Sequence, residues 1–154
     1  MLQAKYLTYL KTDHSTTYIV IQRPQSIYLL IVSLGNLFVF FTPIYSRAMD
    51  DPYTWIGMGL ALSLTLTMII AFIAIFLFKN RTLQFNTVKL ATYIQIVAIG
   101  SAAGVIFSLG GLGSYLWQEA FGVLLILVSL FFLWMAGRGI KKDDELVKSM
   151  DRIR

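Results

Sequence analysis

The side chains able to do chemistry inside this chain are few and almost all uncharged. Asn36, Ser63, Thr65, Thr67, Gln95, Ser101, Ser108 and Ser129 are the polar residues that stand out within its long apolar blocks. Amides and hydroxyls of this kind can hydrogen-bond between helices, at roughly 0.6–2 kcal/mol each in a membrane. They can also line a site for a polar ligand. Interhelical bonding is the favoured reading for Asn36 and Gln95. No Asp, Glu, Lys, Arg or His lies deep in any block. Proton relays and ion-coupled transporters usually depend on such groups, which are expensive to keep in a membrane, so a pump or antiporter is disfavoured. Glu119 comes nearest, in the first turn of the fourth block. An acid there complements the positive end of the helix dipole, and that reading is favoured over a catalytic one.

Metal and redox chemistry are limited in the same way. The chain has no cysteine, which removes disulfides and thiolate sites. Its one histidine, His14, precedes the first block, so bis-histidine haem within the helices is excluded and zinc is disfavoured. No nucleophile–base pair, carboxylate pair or metal cluster is visible. No catalytic residue, metal site or cofactor is assigned, and the expectation is that the protein is not an enzyme.

Two further patterns bear on partners. Gly100 and Gly104 form a GxxxG, and Ser108 extends the small residues to i+8, a spacing that lets a second helix approach closely. With Asn36 and Gln95 these are the candidate helix-packing residues. The C-terminal stretch RGIKKDDELVKSMDRIR reads as a helix. Lys141 with Glu145, and Asp144 with Lys148, are i, i+4 pairs, and Leu146, Val147, Met150 and Ile153 make an apolar stripe. A docking helix for a cytoplasmic partner and an interfacial helix on anionic lipid, at about 1 kcal/mol per basic residue, are both open.

These residues are carried by four apolar blocks. The most telling is Trp55 to Phe78, twenty-four residues without a charge. At about 1.5 Å per residue, roughly 20 residues cross a hydrocarbon core about 30 Å thick. Only a membrane lets a segment of this length be apolar on every face. The other blocks are 26–45, 91–109 and 115–136, and the third has room to start as early as Asn86. Pro43 should end or bend the first. Residues 46–54 read as a polar connection, with Asp51 and Pro52 as N-cap and first residue of the second helix. Gly110 to Gly113 should stop the third block, and Ser114 can cap the fourth. Short connections make consecutive helices antiparallel. The expected fold is an all-α, up-down-up-down four-helix membrane bundle over 26–136. Segment 1–25 precedes it, with no secretory signal read, and a short cytoplasmic helix over 137–154 follows.

The whole composition agrees. Of 154 residues, 57% are hydrophobic and 14% charged, against about 25% charged in a typical soluble domain. Mean hydropathy is +0.71. The net charge of +5 is not a nucleic-acid signal, because the basic residues sit at block ends. Twelve of the 13 Lys and Arg fall on one side of such a threading, and only Arg47 on the other. Basic loops stay cytoplasmic, so both termini and the middle loop should face the cytoplasm. Tyr45, Tyr53, Trp55, Tyr115 and Trp117 would form the outer aromatic belt, and Tyr28, Phe78 and Trp134 would lie near the inner interface.

Three stretches carry a resemblance. Ile21 to Leu30 (IQRPQSIYLL) opens the first block, Lys79-Asn80-Arg81 with Leu83-Gln84 follows the second, and Arg138 to Arg154 closes the chain. Together they resemble an uncharacterised four-span membrane-protein family of Gram-negative bacteria, the domain of unknown function numbered forty-two ninety-three. The resemblance covers Val20 to Arg154. It implies four inner-membrane helices and no established activity, and it carries over no catalytic residue. Residues 1–19 lie outside it and receive no function.

The matched stretches cluster at the cytoplasmic ends, which fits docking better than intramembrane catalysis. The expected role is a structural or accessory subunit, or an assembly factor, of an inner-membrane complex. Arg23, Arg81, Arg138, Leu146, Val147, Met150 and Ile153 are the candidate docking residues. The expected partners are membrane lipid and either another membrane protein or a second copy of the chain. The competing reading is a transporter or channel for a small neutral or lipid-like solute, lined by Asn36, Thr65, Thr67 and Gln95.

Overall fold

The computed structural model describes residues 24–108 and 117–151. It is all-helical, and no strand occurs among the described residues. The helices are α1 (Pro24–Val39), α2 (Pro43–Asp50), α3 (Thr54–Phe76), α4 (Arg81–Ser108) and α5 (Trp117–Asp151), with a 3-10 turn at Leu77–Lys79. Three of them are long and apolar enough to cross a membrane, or four if the bent pair α1 and α2 counts as one span. That content suggests a multi-pass membrane protein.

The breaks have local causes. The last turn of α1 tightens: the amides of Phe40, Phe41 and Thr42 donate to carbonyls three residues back. Pro43 then has no amide to continue the ladder, but its fixed φ suits the first position of a new helix. The α2 axis turns by 52° from α1. Residues 46–54 are therefore not a polar connection, because α2 runs through most of them. Nor does Asp51 cap the next helix. It follows α2, and its Oδ1 accepts the Tyr53 amide at 2.8 Å. Helix α3 begins at Thr54 instead.

The middle connection is shorter than its polar sequence implies. Only Asn80 separates the 3-10 turn from α4. Asn80 Oδ1 accepts the Leu83 amide at 3.2 Å, the capping role expected of asparagine at a helix start. Gln84 Nε2 donates to the Ala74 carbonyl at 3.0 Å and clamps the start of α4 onto the end of α3. The C-terminal helix is not a separate element either. Helix α5 runs unbroken for 35 residues, about 52 Å at the standard rise. Arg81 Nη1 donates to the Asp143 carbonyl at 2.6 Å and ties this extension to the α3–α4 turn. The glycines 110–113, Ser114 and Tyr115 lie outside the described residues.

Packing follows one repeat. The seam positions are 25, 29, 32, 36 and 39 on α1 and 60, 64, 67, 71 and 74 on α3, with Ser33, Ile56, Gly57 and Ser63 buried beside them. On α4 they are 84, 88, 91, 95, 98, 102 and 105, and on α5 119, 122, 126, 129, 133, 136 and 140. Spacings of three and four alternate, which keeps one seam of each helix on its neighbours. Helix α1 packs on α3 and α5, and α4 packs on the same two. Neighbours are antiparallel: Gly59 lies by Ser101 and Gly104 by Ile56, while Gly35 lies by Ser129 and Gly139 by Gln25.

Candidate functional site

The seams bury two apolar clusters. One holds Val39, Ile44, Leu60, Leu64, Ala98 and Ile126, and the other Leu29, Val32, Ala71, Val88, Leu133 and Ile140. Between them every long helix places a polar seam residue: Asn36 on α1, Thr67 on α3, Gln95 on α4 and Ser129 on α5. Three contacts set their level. Ser33 Oγ donates to the Met68 carbonyl at 3.3 Å, Gln95 Nε2 donates to the Ile126 carbonyl at 3.0 Å, and a Cβ on Gly35 would lie 2.9 Å from Ser129 Oγ. The four residues therefore share one layer, to within about a helical turn of 5.4 Å. Gln95 is the midpoint of α4 and Thr67 lies near that of α3, so the layer sits halfway along these two spans.

The chemistry of the layer is that of hydrogen-bond acceptors. Asn36 Nδ2 donates to the Val32 carbonyl of its own helix at 2.9 Å. Asn36 Oδ1, Gln95 Oε1 and Thr67 Oγ1 have no hydrogen-bond partner. An unmade bond at a buried polar atom costs about 1–3 kcal/mol. Thr65 does not join the layer. It is half-buried and donates to the Ala61 carbonyl at 2.8 Å. No cluster of three His, Asp or Glu able to hold a metal occurs among the described residues.

The predicted small-residue face divides. Gly104 meets α3, where a Cβ would lie 3.3 Å from Ile56. Gly100 and Ser108 are exposed, and a Cβ on Gly100 would meet nothing within 4 Å. Within this chain they are not packing residues. The reason is geometric: steps of four and four drift off a seam that alternates three and four. The close approaches fall at glycines that no motif marks. A Cβ on Gly57 would collide with the Ala48 carbonyl oxygen, and one on Gly122 with the side chains of Ile44 and Thr42.

The predicted docking residues are partly engaged inside the chain. Arg81 bonds the Asp143 carbonyl, and Arg138 stacks 4.6 Å from the Trp134 ring. Leu146 is 54% exposed and Val147 half-buried. Arg23, Ile153 and the Met150 side chain lie outside what is described. Glu119 does stand in the first turn of α5, but it is buried there, and its Oε1 lies 3.5 Å from Arg47 Nε. The sequence reading missed this pair, because nothing in the sequence shows that α2 packs beside the start of α5.

No curated protein and no solved structure matches the chain. A family model matches residues 21–153. That match takes in all four long helices, the Asn80 turn and the polar layer between them, and it places the chain in the family described as Domain of unknown function (DUF4293).

Proposed function

We propose that the chain is an inner-membrane protein, threaded up-down-up-down as a four-helix bundle with both termini in the cytoplasm. Its role is that of an accessory subunit that docks a partner through the cytoplasmic extension of α5. The membrane reading rests on an inverted distribution of side chains. On α3 the outward positions are Leu62, Leu66, Ile69, Phe72, Ile73 and Phe76, whereas the seam holds Leu, Ala, Ser and Thr. Water would reverse that pattern, but lipid tails favour it because small residues let helices meet closely.

The accessory reading is carried by α5. Its roughly 52 Å exceed the hydrocarbon thickness by about 20 Å, and Arg81 holds the surplus in line with the span. A tail spread on lipid would need a bend that α5 lacks. The transporter reading is weaker, because the polar layer is closed between two apolar clusters.

Two measurements test this. Reporters fused after Arg154 should report the cytoplasm, and those inserted between Asp50 and Tyr53 the far side; the reverse pattern would end the threading. A photo-crosslinking residue at Leu146, in native membranes, should give a protein adduct of one mass, while the same probe at Phe72 gives lipid adducts. Lipid adducts alone at Leu146 would remove the docking role.

A further inference from the structure

At the cytoplasmic end of the α4–α5 face lies a groove of about 270 Å³. Its floor is apolar, formed by Val88, Leu133 and the bare backbone of Gly137. A Cβ at Gly137 would only just touch Phe85 and Val88, at 3.9 Å, so the trough stays open because this residue has no side chain. Three cations, Lys89, Arg138 and Lys141, line the groove. Two of them are held over its aromatic walls: Lys89 Nζ lies 4.7 Å from the Phe85 ring centre and Arg138 Cζ 4.6 Å from that of Trp134. Lys141 lies 3.9 Å from Glu145, and both side chains are about two-thirds exposed, so this pair is weak.

We propose that this groove binds one anionic glycerophospholipid, with its phosphate among Lys89, Arg138 and Lys141 and an acyl chain along the trough. The inference rests on the membrane reading above and adds a ligand to it. Depth supports it. With the polar layer at mid-membrane, Arg138 stands nine residues beyond Ser129, about 13 Å, and Lys141 about 18 Å. The hydrocarbon ends about 15 Å from its centre, so these cations bracket the plane where phosphates begin. These are backbone depths, and the Lys89 backbone is deeper; helical side chains lean toward the N-terminus, which carries Lys89 toward the cytoplasm over Phe85 and Arg138 inward over Trp134, so the two heads converge. A free phosphate would satisfy the cations and leave the trough uncovered. Basic pockets between helices on the cytoplasmic side are suited to acidic headgroups.

A second groove, of about 290 Å³, provides the contrast. It lies toward the opposite end of the α3–α4 face, lined by Trp55, Ile56, Val97, Gly100, Ser101 and Gly104. It holds no cation, so it should not distinguish headgroups.

The test is native mass spectrometry of the full chain, released from nanodiscs of equal phosphatidylglycerol and phosphatidylcholine. One phosphatidylglycerol should be retained over phosphatidylcholine by about thirtyfold or more, the scale expected for two or three interfacial cations at about 1 kcal/mol each. Lys89→Gln with Arg138→Gln should bring that ratio to about one. Gly137→Leu, which keeps every charge, should cut retention of both lipids by filling the trough. Lys142→Gln, on the same helix but outside the groove, should change nothing. Equal retention of the two lipids by the unaltered chain would overturn the site, as would a Lys142→Gln loss equal to that of the double variant. Displacement of the lipid by millimolar inorganic phosphate would also overturn it, in favour of a simple anion site. Resistance to alkaline extraction from membranes is measured in parallel. An inserted chain without lipid preference sinks the groove alone, and a chain that is extracted sinks the membrane reading as well.

Discussion

Gly57→Ala should lower the melting temperature in mild detergent by about 2–8 °C, while Gly100→Ala leaves it unchanged or raises it slightly. The new methyl at position 57 would run into the Ala48 carbonyl oxygen, with the Ala48 carbonyl carbon 2.9 Å away. Both atoms are backbone, so α2 itself would have to move off α3. Overpacking of this kind costs about 1–3 kcal/mol or more, and in a chain of this size each kcal/mol is worth about 2–4 °C. Alanine gains up to about 1 kcal/mol of helix propensity over glycine, which offsets only part of that. Gly122→Ala should fall between the two, because there the obstacles are the side chains of Ile44 and Thr42, which can rotate. Equal melting of the Gly57 and Gly100 variants would mean that α2 is not seated on α3.

Arg47→Met should destabilise the protein by about 2 kcal/mol, and adding Glu119→Gln should restore most of the loss. The Glu119 side chain is 6% exposed, and its Oε2 has no hydrogen-bond partner. Without Arg47 its carboxylate stays buried with no cation beside it. Breaking a fully buried pair costs about 3–5 kcal/mol. Arg47 is 58% exposed, and solvent screening brings the expected figure down. Neutralising both residues removes the buried charge along with its partner, hence the recovery. If the double variant melts below Arg47→Met, the pair is not what positions α2 beside α5. This contact also gives Arg47 a purpose that a topology count cannot supply.

The sequence showed the helical class and the apolar blocks, because long uninterrupted hydrophobicity needs no tertiary context to be read. The boundaries were harder. Residues 79–90 read as a mixed polar and basic connection on hydropathy alone, yet Gln84, Val88 and Ala91 already carry the seam into Gln95 and Ala98. That signal was present at three- and four-residue steps. It was hidden because the seam residues are small or polar while the strongest apolar side chains face outward. Pro43 was recognised as a break, but not as the first residue of a new helix, since that depends on Thr42 and the tightened turn before it. Asn36 and Gln95 stood out by polarity. Their arrangement in one layer with Thr67 and Ser129 needed the register of four helices. Gly57 and Gly122 left no local signature, because which backbone meets a glycine is decided by the partner helix.

The polar layer has a consequence for how the chain finds its register. The four seams repeat every seven residues and are built from similar small and aliphatic side chains. Slide α4 by one repeat, about 10.5 Å, and nearly every apolar contact is replaced by an equivalent one. The slipped arrangement would therefore compete closely with the correct one. Asn36 and Gln95 break that degeneracy. Any slip carries Gln95 away from the Ile126 carbonyl and sets an amide against aliphatic carbon, at about 1–3 kcal/mol for each polar group stranded. The layer thus works like the wards of a lock: the helices can try several alignments, and only one lets all four turn home.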